Sequence, residues 1–552
     1  MCLGGGDGAV SHLDLLDAMA FGGFVAQQKT LATKAAGKFY TPRAIADCLI
    51  SRLLEVFDAG RDGRLRLIDP FCGDGRLIEW LVGEAATRFC GRRIDVSLWD
   101  YEEAAVGVAA RRVRDVGARL GLDLHISAHV GDSFRHAPAH FGTYDIVFTN
   151  PPWDRLKPDR RETAALGKAA SAYVAALREQ DDFIIAQYPL SQPSLKFSGW
   201  GTNLARVGTE LAFRLTAPGG SCAVVSPATL FADQVSAPLR KWMFEKYRFA
   251  TIDLFPAESK LFVGVDQPVA AFVAFAEAGH AVEPIVFQHT ADGKAVTNGI
   301  VRLDAGSAES MDHRLPMHGG AAAEGIFSRL RAFPRLGELE GDEARGSLWA
   351  GREIDETGFE SYLVNRGKYR FIKGRLVNRY SMERSPYGFV AKNGPRIPPS
   401  ADHARIVWRD VSRPTQRRRL IATIVPPGTV AGNSLNVCYY RDGHQKRLKA
   451  LLGVINSFVF EFQVRANLAT AHVSLGAVRK GHLPDLNSGR AASRIAALVD
   501  RCLNGDLAAL DQVEVAVAKA YGMDRGELAE VLESFPRVER TTVSRLTAAA
   551  LW

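Results

Sequence analysis

Asn150-Pro151-Pro152-Trp153 follows directly on the apolar run Tyr144-Asp-Ile-Val-Phe-Thr149, and those residue types in that order could hold a flat ring bearing an amino group. Two consecutive prolines neither extend a central strand nor donate amide hydrogens, so the chain must leave a sheet there and direct its carbonyls and the Asn150 amide into a crevice. Trp153 then offers a stacking face. The chemistry implied is group transfer to an exocyclic amine. The Asn150 side-chain oxygen and the Pro151 carbonyl can each accept one amine proton, drawing the nitrogen toward tetrahedral and localising its lone pair. An ordinary strand-ending turn reads the same way, so the choice rests on what stands upstream.

Upstream, Leu65-Arg-Leu-Ile-Asp69-Pro70-Phe71-Cys72-Gly73-Asp74-Gly75 leads into Arg76-Leu-Ile-Glu-Trp80, which reads as strand, tight glycine turn and helix. Gly73 and Gly75 permit positive φ and close approach of a ligand to the backbone. A dinucleotide fingerprint would need a third glycine where Ile78 stands, so a cofactor without phosphates is expected. Asp95-Val-Ser-Leu-Trp99-Asp100 is a second strand ending in an acid, placed to grip ribose hydroxyls. A third, Leu124 to Val130, closes on Gly131-Asp132-Ser133. Each carboxylate taken singly could be a helix N-cap; three successive strands that each end in an acid ahead of Asn150 point to a binding edge.

With Tyr40-Thr41-Pro42 ahead of the first strand, these motifs resemble those of gamma-type N6-adenine DNA methyltransferases, the group holding TaqI-type enzymes and the modification subunits of type I restriction systems. The likeness spans roughly residues 30 to 280, since Gly201-Thr-Asn-Leu204, Ala217 to Pro227 and Lys260-Leu-Phe262-Val-Gly264 resemble later parts of the same domain. It implies an α/β, Rossmann-like S-adenosylmethionine-dependent sheet, with N-terminal helices and a C-terminal α+β DNA-recognition domain. By that resemblance Tyr40, Thr41 and Pro42 close over the methionine part of the cofactor. Asp69, Pro70 and Cys72 with the Gly73–Gly75 turn hold its amino-acid end, Asp100 its ribose, and Asp132 with Ser133 its adenine. Asn150, Pro151, Pro152 and Trp153 carry the transfer to an adenine rotated out of the duplex. The chain departs from the family in having Trp153 where Tyr or Phe is usual. It also has a long charged loop from Asp154 to Trp200, in which Phe197 or Trp200 is a second stacking face.

The elements that must position these residues follow from hydrophobic periodicity. Helices are expected through residues 10–60, with strands at 65–71, 95–100, 124–131, 144–149, 221–226, 249–255 and 268–276, the last two as an antiparallel hairpin on the sheet edge. We divide the chain into an N-terminal helical segment carrying the capping motif (1–60), a catalytic domain (61–300), a linker region (301–345) and a target-recognition domain with C-terminal helices (346–552). Strands are expected at 421–430 and 435–440, and helices at 448–464 and 491–535.

Charge separates these parts. Between 351 and 500 there are 25 lysines and arginines against 11 acids, an excess of 14 in a chain whose total is +8. Lys368, Arg370, Lys373 and Arg375 alternate with aromatics, and Arg417-Arg418-Arg419 follows a turn; such a surface suits the phosphates of double-stranded DNA. With 47% hydrophobic and 24% charged residues, the composition is that of an ordinary globular chain, and no run approaches a membrane span or a leader. The expectation is a cytoplasmic protein. Seven cysteines without a Cys-x-x-Cys pair and histidines without ligand spacing indicate neither disulfides nor a metal. No Asp…Glu-x-Lys nuclease core stands out, so cleavage would belong to a partner endonuclease or defence-complex subunit. The alternatives are methylation of ribosomal RNA guanine or release-factor glutamine, which use similar Asn-Pro-Pro turns, and a non-catalytic specificity subunit.

Overall fold

The computed structural model describes residues 40–552 apart from 58–62, 159, 168–169, 193–201, 263–266, 278–284, 290–294, 301–313, 316–320, 356–357, 395, 414–415, 467, 469–471, 488 and 536. The chain forms two compact units, residues 1–289 with 293–315, and residues 290–292 with 316–552.

The first unit is built on a nine-stranded sheet. Its strands are β1 (Arg64–Asp69), β2 (Arg93–Asp100), β3 (Asp123–Val130), β4 (Tyr144–Thr149), β5 (Thr216–Pro227), β6 (Arg248–Phe255), β7 (Val269–Phe275), β8 (Ile285–His289) and β9 (Ala295–Ile300). They lie in the order β3-β2-β1-β4-β5-β7-β6-β8-β9. The run from β3 to β5 is parallel, a doubly wound Rossmann-like arrangement whose inner strands are apolar on both faces because helices cover them. Strand β1 buries Leu67 and Ile68 completely, Leu67 in one core with α1 (Arg43–Val56), α2 (Arg76–Glu84) and α3 (Glu103–Leu120). Because β1, β2, β3 and β4 all run the same way, Asp69, Asp100, Gly131 and Asn150 come out on one edge, with the strand order reversing between β1 and β4, where open α/β sheets bind ligands.

The hairpin of β6 and β7 is antiparallel as expected, but it is not the sheet edge. Strand β7 inserts between β5 and β6, and β8 and β9 extend the sheet beyond β6. The apolar run Val269-Ala-Ala-Phe-Val-Ala-Phe275, buried at every position, is the reason, since only an interior strand is covered on both faces.

The second unit is α+β. One four-stranded sheet joins β10 (Leu348–Gly351), β17 (Leu435–Tyr440), β14 (Arg405–Arg409) and β15 (Ala422–Val425), in that order. Another joins β11 (Leu363–Val364), β13 (Gly388–Val390), β12 (Arg370–Ile372) and β16 (Thr429–Ala431). Helices α7 (Gln445–Ile455), α8 (Phe458–Arg465), α9 (Arg490–Leu503), α10 (Ala509–Ala520) and α11 (Arg525–Glu533) pack into one core with the first of these sheets. The helix expected over 448–464 is two, broken at Asn456-Ser457, where the Ser457 hydroxyl caps α8 through the Phe460 amide. Part of the expected linker is core: the helix Ala321–Leu330 and the turn at Leu336–Leu339 bury Ile326, Leu330 and Leu336 in the second unit. No helix among the described residues is long and apolar enough to cross a membrane.

Candidate active site at the strand ends

Asp69 closes β1 and is fully buried. Its Oδ1 accepts the Thr149 hydroxyl at 2.6 Å and the Phe71 amide at 3.1 Å, while Oδ2 has no hydrogen-bond partner among the described residues. Burial pushes this carboxyl up to about 7, and the nearby Asp100 adds to the shift. A buried carboxylate oxygen with nothing to accept from is costly. It fits the donor set of a cofactor's ammonium group.

The turn after β1 brings backbone and carboxylates together. Gly75 adopts φ 78° at the start of α2, and a Cβ there would sit 2.6 Å from the Ala109 backbone of α3, so glycine is required for both conformation and close packing. Asp100 Oδ2 accepts the Gly73 amide at 2.9 Å and its Oδ1 the Glu102 amide at 3.0 Å. These bonds bind the end of β2 to the glycine turn. Cys72 is buried in the same turn, and burial raises its thiol far above the ordinary range. Its role there is that of a small apolar residue.

Asp132 caps the short helix Ser133–His136 by accepting the Phe134 amide at 2.8 Å, and its other oxygen accepts from Gln180. Gln180, on the helix Ala170–Gln187, is a partner that no sequence motif marks. Burial raises the Asp132 carboxyl. The Ser133 hydroxyl donates to the Pro70 carbonyl at 2.5 Å, tying the third strand end to the first.

The segment ahead of α1 lies across this edge. Tyr40 covers Gly73, its ring 3.5 Å from where a Cβ would stand, and the Arg76 guanidinium sits 4.3 Å from the ring centre while pairing with Asp74. Pro42 starts α1 by accepting the Ile45 and Ala46 amides. Thr41 is buried, and its hydroxyl accepts from Asn150 Nδ2 at 3.0 Å across 109 residues. In this orientation Oδ1 is the acceptor end of the amide.

Beyond Asn150, Pro151 is buried against α5 (Leu204–Leu215), where a Cβ on Gly208 would lie 2.4 Å from the Pro151 ring. Trp153 is buried to 8% exposure, with the Phe262 ring 4.6 Å away at a 54° tilt. Two rings in contact leave no slot for a base, which needs about 7 Å between its flanking planes. Beside the pair Pro256, Ala257, Leu261 and Phe262 line a cavity of about 10 Å³, room for about one water and far below the roughly 300 Å³ of a ligand pocket. Phe197 and Trp200, expected as the second stacking face, lie outside the described residues. No local pattern marks Phe262 for this role, because nothing short-range reveals that the β6–β7 connection returns to the strand-end edge.

In the second unit the basic residues divide. Lys368 and Arg375 are exposed, and Arg370 and Lys373 half-buried. The Lys373 ammonium lies 3.9 Å and the Arg375 guanidinium 4.9 Å from the Tyr387 ring centre. The Arg417–Arg419 run needs correcting as a phosphate-binding group. Arg418 is buried to 8% and donates to Glu461 at 2.7 Å, Glu514 at 3.1 Å and the Asn456 carbonyl at 2.6 Å. Arg419 is 4% exposed and its amide donates to Glu461. A guanidinium so enclosed satisfies a buried carboxylate and cannot reach a polyanion. Arg417 is exposed and donates to the Thr542 hydroxyl at 2.7 Å.

Among the described residues one set of metal-ligating side chains converges, Cys48, Asp253 and His289 in the first unit. Asp253 accepts from His289 at 2.7 Å and from Arg52 at 3.3 Å, so the guanidinium provides the positive charge that a metal would bring.

No protein-family profile matches the chain. Among solved structures it is similar to DrdV in a DNA complex, with a TM-score of 0.51 and 11% identity over 90% of this chain and 60% of that one. It is also similar to a nuclease-deletion mutant of the Type ISP restriction-modification enzyme LlaGI in complex with a DNA substrate mimic, with a TM-score of 0.50 and 10% identity over 86% of this chain and 47% of that one. The chain shares their fold. It spans about half to three-fifths of their length, and at such identity the likeness concerns architecture.

Proposed function

We propose that this protein is a DNA methyltransferase that transfers a methyl group from S-adenosylmethionine to the N6 amine of an adenine rotated out of the duplex, within a restriction-modification or phage-defence system. The observation that carries this reading is the hydrogen bond from Asn150 to Thr41, which holds a catalytic amide at the tip of β4 beside a buried carboxylate able to receive an ammonium. When bound, S-adenosylmethionine supplies the sulfonium methyl. Asp69 Oδ2 orients its ammonium, Asp100 its ribose and Asp132 with Ser133 its adenine end, while Tyr40 and Pro42 with the Gly73–Gly75 turn enclose it.

Asn150 Oδ1 and the Pro151 carbonyl accept the two N6 protons, and Pro152 fixes the elbow that aims them. The amine needs no prior deprotonation, because the ammonium-like product is strongly acidic. Trp153 stacks on the freed base, and Phe262 must move from its place against Trp153 to admit it. In this reading residues 61–300 are catalytic, and residues 346–552, within the second unit, recognise the target through Lys368, Arg370, Lys373 and Arg375.

The test is to incubate the purified protein with labelled S-adenosylmethionine and, separately, duplex DNA, ribosomal RNA and a release factor. Label is expected in DNA, as N6-methyladenine. Label in either other substrate, or in none with cofactor bound, removes the assignment.

A further inference from the structure

On β10 and the segment after it, Arg352 sits over a buried polar pair. Its Nε donates to Asn436 Oδ1 at 3.1 Å and its Nη2 to Asp410 Oδ1 at 2.7 Å. Asn436 is fully buried and itself donates to Asp410 Oδ1 at 3.1 Å. The Asp410 side chain is 5% exposed, whereas that of Arg352 is 49% exposed. Asp410 Oδ2 is also bonded to His472 Nδ1 at 2.7 Å, and the Asp410 amide is held by the Ser434 carbonyl at 3.0 Å. The side edge of the guanidinium is therefore clamped from beneath by groups that cannot move without opening the core.

Clamping the side edge leaves the end of the fork, one N–H from each Nη, to point outward. Two parallel donors at that spacing match two acceptors in a plane, as on the O6/N7 edge of guanine or on a phosphate. Charge decides between them. Asp410 neutralises Arg352, so the cluster attracts a polyanion far less than the exposed Lys368 and Arg375 do, while its hydrogen-bond geometry is fixed in advance. Weak field with strong directionality suits a base edge better than a backbone phosphate.

We infer that Arg352, held by Asp410 and Asn436, reads a guanine in the major groove of the target site. This rests on the reading of the second unit as the DNA-recognition unit, but not on methyl transfer.

The test is selection of randomised duplexes by the full-length protein without cofactor, comparing wild type with Arg352→Lys and Arg352→Ala and following the melting temperature of each. Wild type is expected to enrich a motif containing a guanine whose requirement falls about tenfold or more in both variants. The lysine variant keeps the charge but lacks the fork, so it decides the matter if the alanine variant does not fold. An unchanged motif in the lysine variant, affinity reduced evenly over all sequences with a salt slope smaller by about one, or no motif enriched by wild type would each overturn the inference. Because no methylation is read, a protein that labels no DNA can still pass, and failure of the catalytic reading stays separate.

Discussion

Two buried carboxylates, one in each unit, have opposite fates. Asp69 at the end of β1 is met by a hydroxyl and an amide, and burial pushes it up to about 7. Burial acts on Glu461 in α8 in the same direction, but the Arg418 and Arg465 guanidiniums overcome it and hold that carboxyl at about 2. The second group is fully matched within the chain and belongs to the architecture. The first is mismatched, and in the function proposed above a cofactor's ammonium corrects the mismatch. Charge count alone does not separate a site from a scaffold; completeness of the local pairing does.

The largest effect should come from breaking the matched case. Arg418→Met leaves Glu461 and Glu514 buried with a cation removed, for which a loss of about 3–5 kcal/mol is expected. Denaturant unfolding measures it. A loss under about 1 kcal/mol would mean that Arg418 is not the structural partner described and would reopen the arginine run as a DNA-binding element.

In the mismatched region, Asn150→Ala should lower turnover by about 10²–10³-fold, the effect of removing one fixed polar group facing a transition state, with cofactor affinity nearly unchanged. Thr41→Val is expected to do less, about tenfold, by releasing the amide that its hydroxyl orients, and Thr41→Ser should restore most of the rate. Single-turnover kinetics beside equilibrium cofactor binding distinguish the two. A Thr41→Val protein whose defect lies wholly in cofactor binding would confine Thr41 to the cap.

What the sequence revealed and what it concealed follow the same division. Asp69, Gly73, Gly75, Asp100, Asn150 and the prolines act through backbone geometry at strand ends, and such geometry is written locally in residue type and spacing. The seven strands from β1 to β7 were legible for that reason, as apolar runs or, in β2 and β3, as alternating ones bounded by turn residues. The position of β7 inside the sheet was not, because pairing order is a long-range property. Nor could the burial of Arg418 be read, as its partner stands 43 residues away. The packing of Phe262 on Trp153 was hidden likewise, since more than a hundred residues separate the two rings.

The pH dependence sharpens the contrast between the carboxylates. Asp69 titrates near 7 when folded against about 3.9 when unfolded, so its raised value lowers stability as pH climbs from about 4 to 7. Glu461, depressed to about 2, contributes stability that is present above its unfolded value of about 4.3 and lost only as pH falls toward 2. A bound ammonium favours ionised Asp69. Cofactor affinity should therefore rise up to about tenfold per pH unit below 7 and level off above it, and Asp69→Asn should flatten the profile. Calorimetric binding between pH 5.5 and 8.5 checks this. A wild-type profile as flat as that of the variant would place the ammonium elsewhere.

The smallest effects are expected where charges are exposed. Lys368→Ala or Arg375→Ala should change stability by no more than about 0.5 kcal/mol, since neither side chain is enclosed. Each should reduce the slope of log affinity for duplex DNA against log salt by about 0.9 for every phosphate it no longer neutralises. Titrations at several salt concentrations read the slope directly. An unchanged slope in both variants would move the phosphate-binding surface off the aromatic-flanked strip around Tyr387, because a cation that meets a phosphate must release counterions when it binds and one that does not cannot.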